Sequence, residues 1–336
     1  MTYSSAGLIQ AADYNGFVGP TSSGGTAGAN LNDIWATGAT DKGWGQTAVT
    51  NVTAGSNTVT ATQWASLVNN LATSGTQTST ALTARSAPTT GQTIDILAAL
   101  NADLTSVTTN RGNAAASGTE YGVFSGTTSK TTGTGSGQSA WTITFTHTVT
   151  FPSADQARYF WNAGGIVRLK YGKSSTGTDA DADWNTFSGL CGTINLTGRV
   201  AGAAQTIAAQ SYTGTTRLSG TGGTQTTLTT TTGWYNLTGS ATTIFQLNDT
   251  VSPYSTNFIR TQATATSSTV LTLSTVWSDD GTGTVGATAN ITGGTATASP
   301  STTISGTAPT TLVTYLPPSS TLTNSWGTPS IAASVA

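Results

Sequence analysis

Between Trp141 and Phe151 the chain alternates without a fault. Trp141, Ile143, Phe145, His147, Val149 and Phe151 fall on one side, and Thr142, Thr144, Thr146, Thr148 and Thr150 on the other. A side-chain period of two sustained over this length belongs to a strand with one apolar face, not to a helix. Pro152 ends it, because proline has no N–H to give to a ladder. Threonine, being β-branched, suits the pleated and half-buried surface that the polar side of such a strand presents. Looser versions of the pattern fall at 193–200, 224–230, 241–247, 256–265, 269–277, 284–292, 301–306, 310–316 and 328–335. From Thr193 onward the chain therefore reads as a Thr/Gly-rich antiparallel, β-sandwich-like region.

Composition narrows the function classes. Of 336 residues only 7% are charged, against about 25% in an ordinary globular domain. Roughly 75 residues are threonine and 40 are glycine, yet 9 Trp, 9 Tyr and 8 Phe exclude a disordered polar tract. One Cys (Cys191) excludes a disulfide framework, and with one His (His147) it cannot supply a four-ligand zinc site. His147 sits on the apolar side of its strand, which makes it a core or interface histidine before a catalytic one. A single Glu (Glu120) and few Lys leave little proton-transfer chemistry, so no enzyme is expected. Eleven Lys+Arg scattered along the chain do not make a nucleic-acid surface. No run has the length of a membrane span, no segment resembles a secretory leader, and no cofactor motif is present. After Asp280 there is no charged residue at all. Exposed strand edges are normally guarded by charge, so these edges are expected to be covered by partners in an assembly.

The first third is helical. Thr60-Ala61-Thr62-Gln63 is a capping box, followed by Trp64, Leu67, Val68 and Leu71 on one stripe and Ser66, Asn69 and Asn70 opposite. A second helix is expected from Thr93 to about Arg111, faced by Ile94, Leu97, Leu104 and Val107. Shorter helices are expected over 8–15 and 31–35, and Asp41–Gln46 reads as a glycine-punctuated turn presenting Trp44. Such one-faced helices must pack on each other or on a neighbouring subunit. Trp64, Leu67, Leu71, Leu97 and Leu104 are therefore interface candidates, joined by Tyr159 and Trp161 further on.

Residues 116–139, nearly all Gly, Ser and Thr, read as a loop or linker. Residues 140–195 read as a small α+β unit. After the strand, Ser153 and Gln156 form another capping box, opening a helix that stops at Asn162-Ala163-Gly164-Gly165. Ile166–Tyr171 returns as a strand, and Asp179–Leu190 forms a further helix. The expected division is thus 1–115, 116–139, 140–195 and 196–336, in an α+β fold that is mostly β.

Two constellations could bind something. Asp179, Asp181 and Asp183 alternate as calcium ligands sometimes do, although the EF-hand pattern fails at Trp184 and Leu190. The simpler reading is helix N-terminal acids favoured by the dipole. Trp44, Trp234, Tyr235, Tyr254 and Trp277 stand in turn-like settings and could stack on sugar rings, or could be core anchors.

The segment Ser153–Leu169, Ser-Ala-Asp-Gln-Ala-Arg-Tyr-Phe-Trp-Asn-Ala-Gly-Gly-Ile-Val-Arg-Leu, resembles virion structural proteins of tailed bacteriophages. So do the preceding Val149-Thr150-Phe151-Pro152, the later Asp183-Trp184-Asn185, and Ala12–Asn15, Gly43–Gln46, Val59–Trp64 and Asn324–Pro329 in order along the chain. These are tail-fibre-like or baseplate-associated proteins, particularly of phages of cyanobacteria and other aquatic bacteria. Gly19–Gly28 departs from that pattern as an insertion. The resemblance implies a location in the virion and carries no catalytic residue. It implies partners that are copies of the chain itself, as a trimer or hexamer, and other virion proteins. Three classes are then in view: a structural subunit of tail, fibre, baseplate, neck or head; a module binding host-surface glycans; and a depolymerase, which would need two close aspartates in a groove.

Overall fold

The computed structural model describes residues 11–19, 29–53, 59–87, 89–90, 97–114, 120, 128–130, 132–134, 140–174, 179–199, 205–207, 210–221, 226–252, 254–279, 301–303, 308–318 and 321–336. Helices α1 (Ala11–Val18), α2 (Leu31–Trp35), α3 (Ala61–Gln77) and α4 (Leu97–Asn110) come first. Then follow β1 (Thr128–Ser129), β2 (Thr132–Thr134), β3 (Trp141–Thr150), α5 (Ala154–Asn162), β4 (Ile166–Gly172), α6 (Asp179–Cys191) and β5 (Thr193–Leu196). The rest is β6 (Gln205–Ile207), β7 (Gln210–Tyr212), β8 (Thr215–Leu218), β9 (Thr226–Leu228), β10 (Thr242–Asn248), β11 (Phe258–Ser267), β12 (Val270–Asp279), β13 (Ser301–Thr303), β14 (Thr310–Leu316) and β15 (Ser330–Val335). The fold is mixed α+β, mostly β, as the sequence suggests.

Two antiparallel sheets form the body. One runs β13-β2-β3-β12-β11-β10-β9, with β15 also bonded to β3; the other runs β1-β14-β4-β5-β8. β6 and β7 make a separate ribbon. The boundary expected at 195/196 does not divide these sheets, because β3 pairs with β12 and β15, and β4 pairs with β14. Composition changes locally, whereas strand pairing joins distant segments. Within the stretch read as a linker, β1 pairs with β14 and β2 pairs with β13 and meets β3. Main-chain ladders need no apolar side chain, so Gly/Ser/Thr composition hid these short strands. The expected strand at 284–292 lies outside the described residues, and β6, β7 and β8 were not anticipated.

The sheets pack face to face. Trp277 Nε1 donates to Thr311 Oγ1 at 3.0 Å, and Tyr171 Oη lies 2.7 Å from Thr261 Oγ1. Ile143, Phe145, Leu271 and Leu273 from one sheet and Val167, Leu169, Ile194 and Val313 from the other are fully buried between them. Burying each such side chain stabilises the fold by about 1.5–3 kcal/mol. His147 is buried in the same layer, and desolvation lowers its pKa to about 4, so at neutral pH it is an uncharged core residue.

Helices close the two ends. Trp184 of α6 packs against Trp141 at 4.9 Å and stacks on Trp277 at 5.7 Å. At the other end, Phe151, Phe160 and Trp161 cluster, and Trp234 stacks on Trp161 at 5.5 Å. Ser153 caps α5 by accepting from Gln156 N at 3.2 Å, but only half of the expected capping box is made. The Gln156 amide lies instead against Gly327.

The N-terminal helices pack on one another and then on α5. The α3 capping box is complete, with Thr60 N donating to Gln63 Oε1 at 2.9 Å and Gln63 N to Thr60 Oγ1 at 3.2 Å. Trp64 meets Tyr14 of α1 edge to face at 5.2 Å. The 41–46 turn reaches α5: Arg158 Nη1 donates to the main-chain oxygens of Thr37 and Lys42, each at 2.7 Å. Gly45 has φ +66°, and a Cβ there would stand 2.3 Å from the Tyr159 ring, so the approach requires glycine.

Candidate functional site

Most residues expected to face a partner or ligand are in the core. Trp64, Leu67, Leu71 and Leu104 are buried among the N-terminal helices, and Trp161 lies under Trp234. The stripe needed a cover, and the chain's own helices supply it. Tyr159 is half-buried, with the Arg158 guanidinium 4.8 Å over its ring. The Leu97 side chain lies outside the described residues.

The aromatic platforms are likewise occupied. Trp44 is buried and its Nε1 donates to Asn162 O at 3.1 Å. Trp234 and Tyr254 are buried, and Trp277 is fully so. Tyr235 is half-buried and donates its hydroxyl to Asn162 Oδ1 at 2.7 Å. Trp44, Trp234, Tyr235 and Tyr254 stand beside turns but are turned inward, whereas Trp277 lies within β12 and faces the opposite sheet.

Of the acidic run, only the Asp183 side chain is among the described residues; those of Asp179 and Asp181 lie outside them. Asp183 comes within hydrogen-bonding reach of Asp249, with Asp279 adding its charge. Burial, the Asp249 contact and the two like charges push the Asp183 carboxyl up to about 8. Asp183 Oδ2 and Asp249 Oδ2 are both buried and accept no hydrogen bond among the described residues. This arrangement holds a proton. Among the described residues, no group of three or more His, Cys, Asp or Glu side chains is placed to hold a metal ion. Two carboxyls in contact also leave no space for a glycosidic oxygen, which needs them about 5–10 Å apart.

Two cavities flank α3. One, of about 470 Å³, lies between α3 and residues 79–85. Its cation, Arg85, is already paired with Asp103, which also accepts from Thr83 N at 3.1 Å. The other is a groove of about 310 Å³ between α3 and the extended segment 46–50, lined by neutral residues that include Trp35, Gln63, Ser66, Asn70 and Thr323. Its outer wall is fixed in place. Asn32 Nδ2 donates to Val49 O and Val49 N donates to Asn32 Oδ1, each at 2.9 Å. Gln46 brackets Thr323, accepting from its N–H and donating to its carbonyl, each at 2.9 Å. In the sequence Ser66 and Asn70 read as the solvated back of a helix. Nothing local to either segment reveals that 46–50 runs alongside.

No helix among the described residues is long and apolar enough to cross a membrane. Comparison with family models, with curated proteins and with solved structures gave no match.

Proposed function

We propose that the chain is a non-enzymatic structural subunit of a tailed-bacteriophage particle, in the tail, fibre or baseplate, and that it works as a homo-oligomer. The observation that carries this reading is the edge formed by β15. This strand bonds to β3 along one side from Ser330 to Val335, and among the described residues nothing bonds to its other side. Its exposed positions are Ser330, Ala332 and Ser334, small and neutral, and no charge stands anywhere from 281 to 336. An edge without lysine, proline or bulge is a template for another strand. A second copy brings an identical uncharged edge and meets no like-charge repulsion. The buried stripe of α3 supports an assembly through the sheet rather than through the helices.

Light scattering on the purified chain and labelling of intact particles test this reading. The expected result is a defined oligomer that Ala332→Lys with Ser334→Lys splits into monomers that keep the circular-dichroism spectrum of the folded chain, and label on the tail, fibre or baseplate. A chain that stays monomeric at every concentration and is absent from particles overturns it. Label at the head or neck overturns the tail assignment in favour of a decoration protein.

A further inference from the structure

The groove between α3 and the 46–50 segment is uncharged in its lining, held in its walls and polar along its α3 side. The first property excludes ions as its ligand: no Asp, Glu, Lys or Arg lines it among the described residues. The third excludes a purely apolar ligand, which would cover amides without pairing them. Gln63 spends its Oε1 on the Thr60 cap and keeps its NH₂ group, and the Asn70 amide makes no hydrogen bond among the described residues. Ser66 gives its proton to Thr62 O at 3.0 Å and keeps its oxygen lone pairs. The three residues follow one another along one stripe of α3, spanning about 10 Å at 1.5 Å per residue. In order along the helix they present a donor group, an acceptor and a mixed donor–acceptor. Beside them, Trp35 lines the groove with its Nε1 held by Thr47 O at 2.9 Å, so the indole offers ring surface, not a donor.

We infer that this groove binds an uncharged saccharide of one or two rings. A neutral sugar has hydroxyls that donate and accept side by side, matching amides and a serine oxygen, and C–H faces that suit an indole. The volume is at the small end of the range for small-molecule sites, about 300–1,000 Å³. Because Asn32, Gln46 and Thr323 already hold the wall, binding requires no ordering of the protein.

Saturation-transfer NMR on the full chain tests the inference, with maltose, cellobiose, lactose and diacetylchitobiose at millimolar concentration and sialyllactose as the charged control. At least one neutral disaccharide should give transfer signals. Asn70→Ala should weaken its binding by about tenfold, the loss expected from one pair of buried hydrogen bonds. Ser66→Phe should abolish binding by filling the groove. Both changes lie on accessible helix positions, and unchanged melting temperatures would show that the fold is intact. The inference is overturned if no neutral sugar binds, if binding survives both substitutions, or if sialyllactose is preferred. The homo-oligomer is read separately by light scattering, so a failure here leaves that reading untouched.

Discussion

Tyr235 Oη lies 2.7 Å from Asn162 Oδ1, and that one amide joins three distant parts of the chain. Asn162 Nδ2 reaches Lys42 O at 2.8 Å and Thr40 O at 3.1 Å, while its own main-chain oxygen accepts from Trp44 Nε1. The C-terminus of α5 thereby clamps the 40–44 turn on one side and the Trp234–Asn236 turn on the other. Asn162→Ala should cost about 2–4 kcal/mol, because it strands carbonyls and a hydroxyl inside the protein. Asn162→Asp should cost at least as much, since a carboxylate cannot donate to those carbonyls. Tyr235→Phe, removing one bond, should cost about 1 kcal/mol. Urea unfolding of the three variants checks the ranking.

Acidity should act on stability through two buried groups of opposite sign. Asp183 keeps its proton in the folded chain up to about 8 but loses it in the carboxylate range when unfolded, so its contribution is present in acid and lost as pH rises toward 8. His147 stays neutral in the fold down to about 4, so stability is lost as pH falls from its ordinary 6.5 toward 4. The two oppose each other in that lower window. Between 6.5 and 8 only Asp183 of the two still titrates, and the urea midpoint should fall. Above 8 the buried Lys173 amine, held down to about 8 by desolvation, brings the opposite slope. Asp183→Asn should flatten the profile between pH 6.5 and 8, and urea titrations across that range give the answer.

Arg85 and Asp103 form an ion pair with both side chains nearly buried, and burial lowers the Arg85 pKa. Arg85→Leu alone should destabilise by about 3–5 kcal/mol, because it leaves a charge without its partner. Arg85→Leu with Asp103→Leu should recover a large part of that loss. A double-mutant cycle measured by denaturant unfolding distinguishes this from simple loss of packing.

Gly45 is required twice, once by its positive φ and once by the Tyr159 ring. Gly45→Ala should cost about 1–2 kcal/mol for the backbone alone, with the clash added. Gly45→Ala combined with Tyr159→Ala should cost less than the sum of the two single changes, since removing the ring relieves the clash and leaves only the backbone strain. Melting temperatures of the single and double variants test the non-additivity.

What could be read in the sequence was whatever has a local period. β3 alternates over its whole length, α3 announces itself with Thr60 and Gln63, and α5 ends where the Asn-Ala-Gly-Gly run places it. What covers a surface is not local. Trp44 sits in turn-like sequence and Trp277 near a strand end, yet their indole N–H groups find partners 118 and 34 positions away. The same limit hid Asp249 as the neighbour of Asp183, and hid the groove, whose two walls come from stretches that carry no shared pattern. β6, β7 and β8 escaped because runs of three or four residues are too short to show a period.

The Gln46 amide is bonded to Thr323, 277 positions further along. A ribosome adding about 5–20 residues per second needs roughly 15–55 s to cover that distance. Through that interval α1 to α4 already have one another to pack on, whereas β3 waits for β12 and then for β15 before its ladder is complete. The helical cap can gather while translation continues, but the sandwich can be sealed only late in synthesis. Nascent chains of this protein should therefore carry an unzipped sheet, and a demand for protection from premature pairing with neighbours on the same messenger.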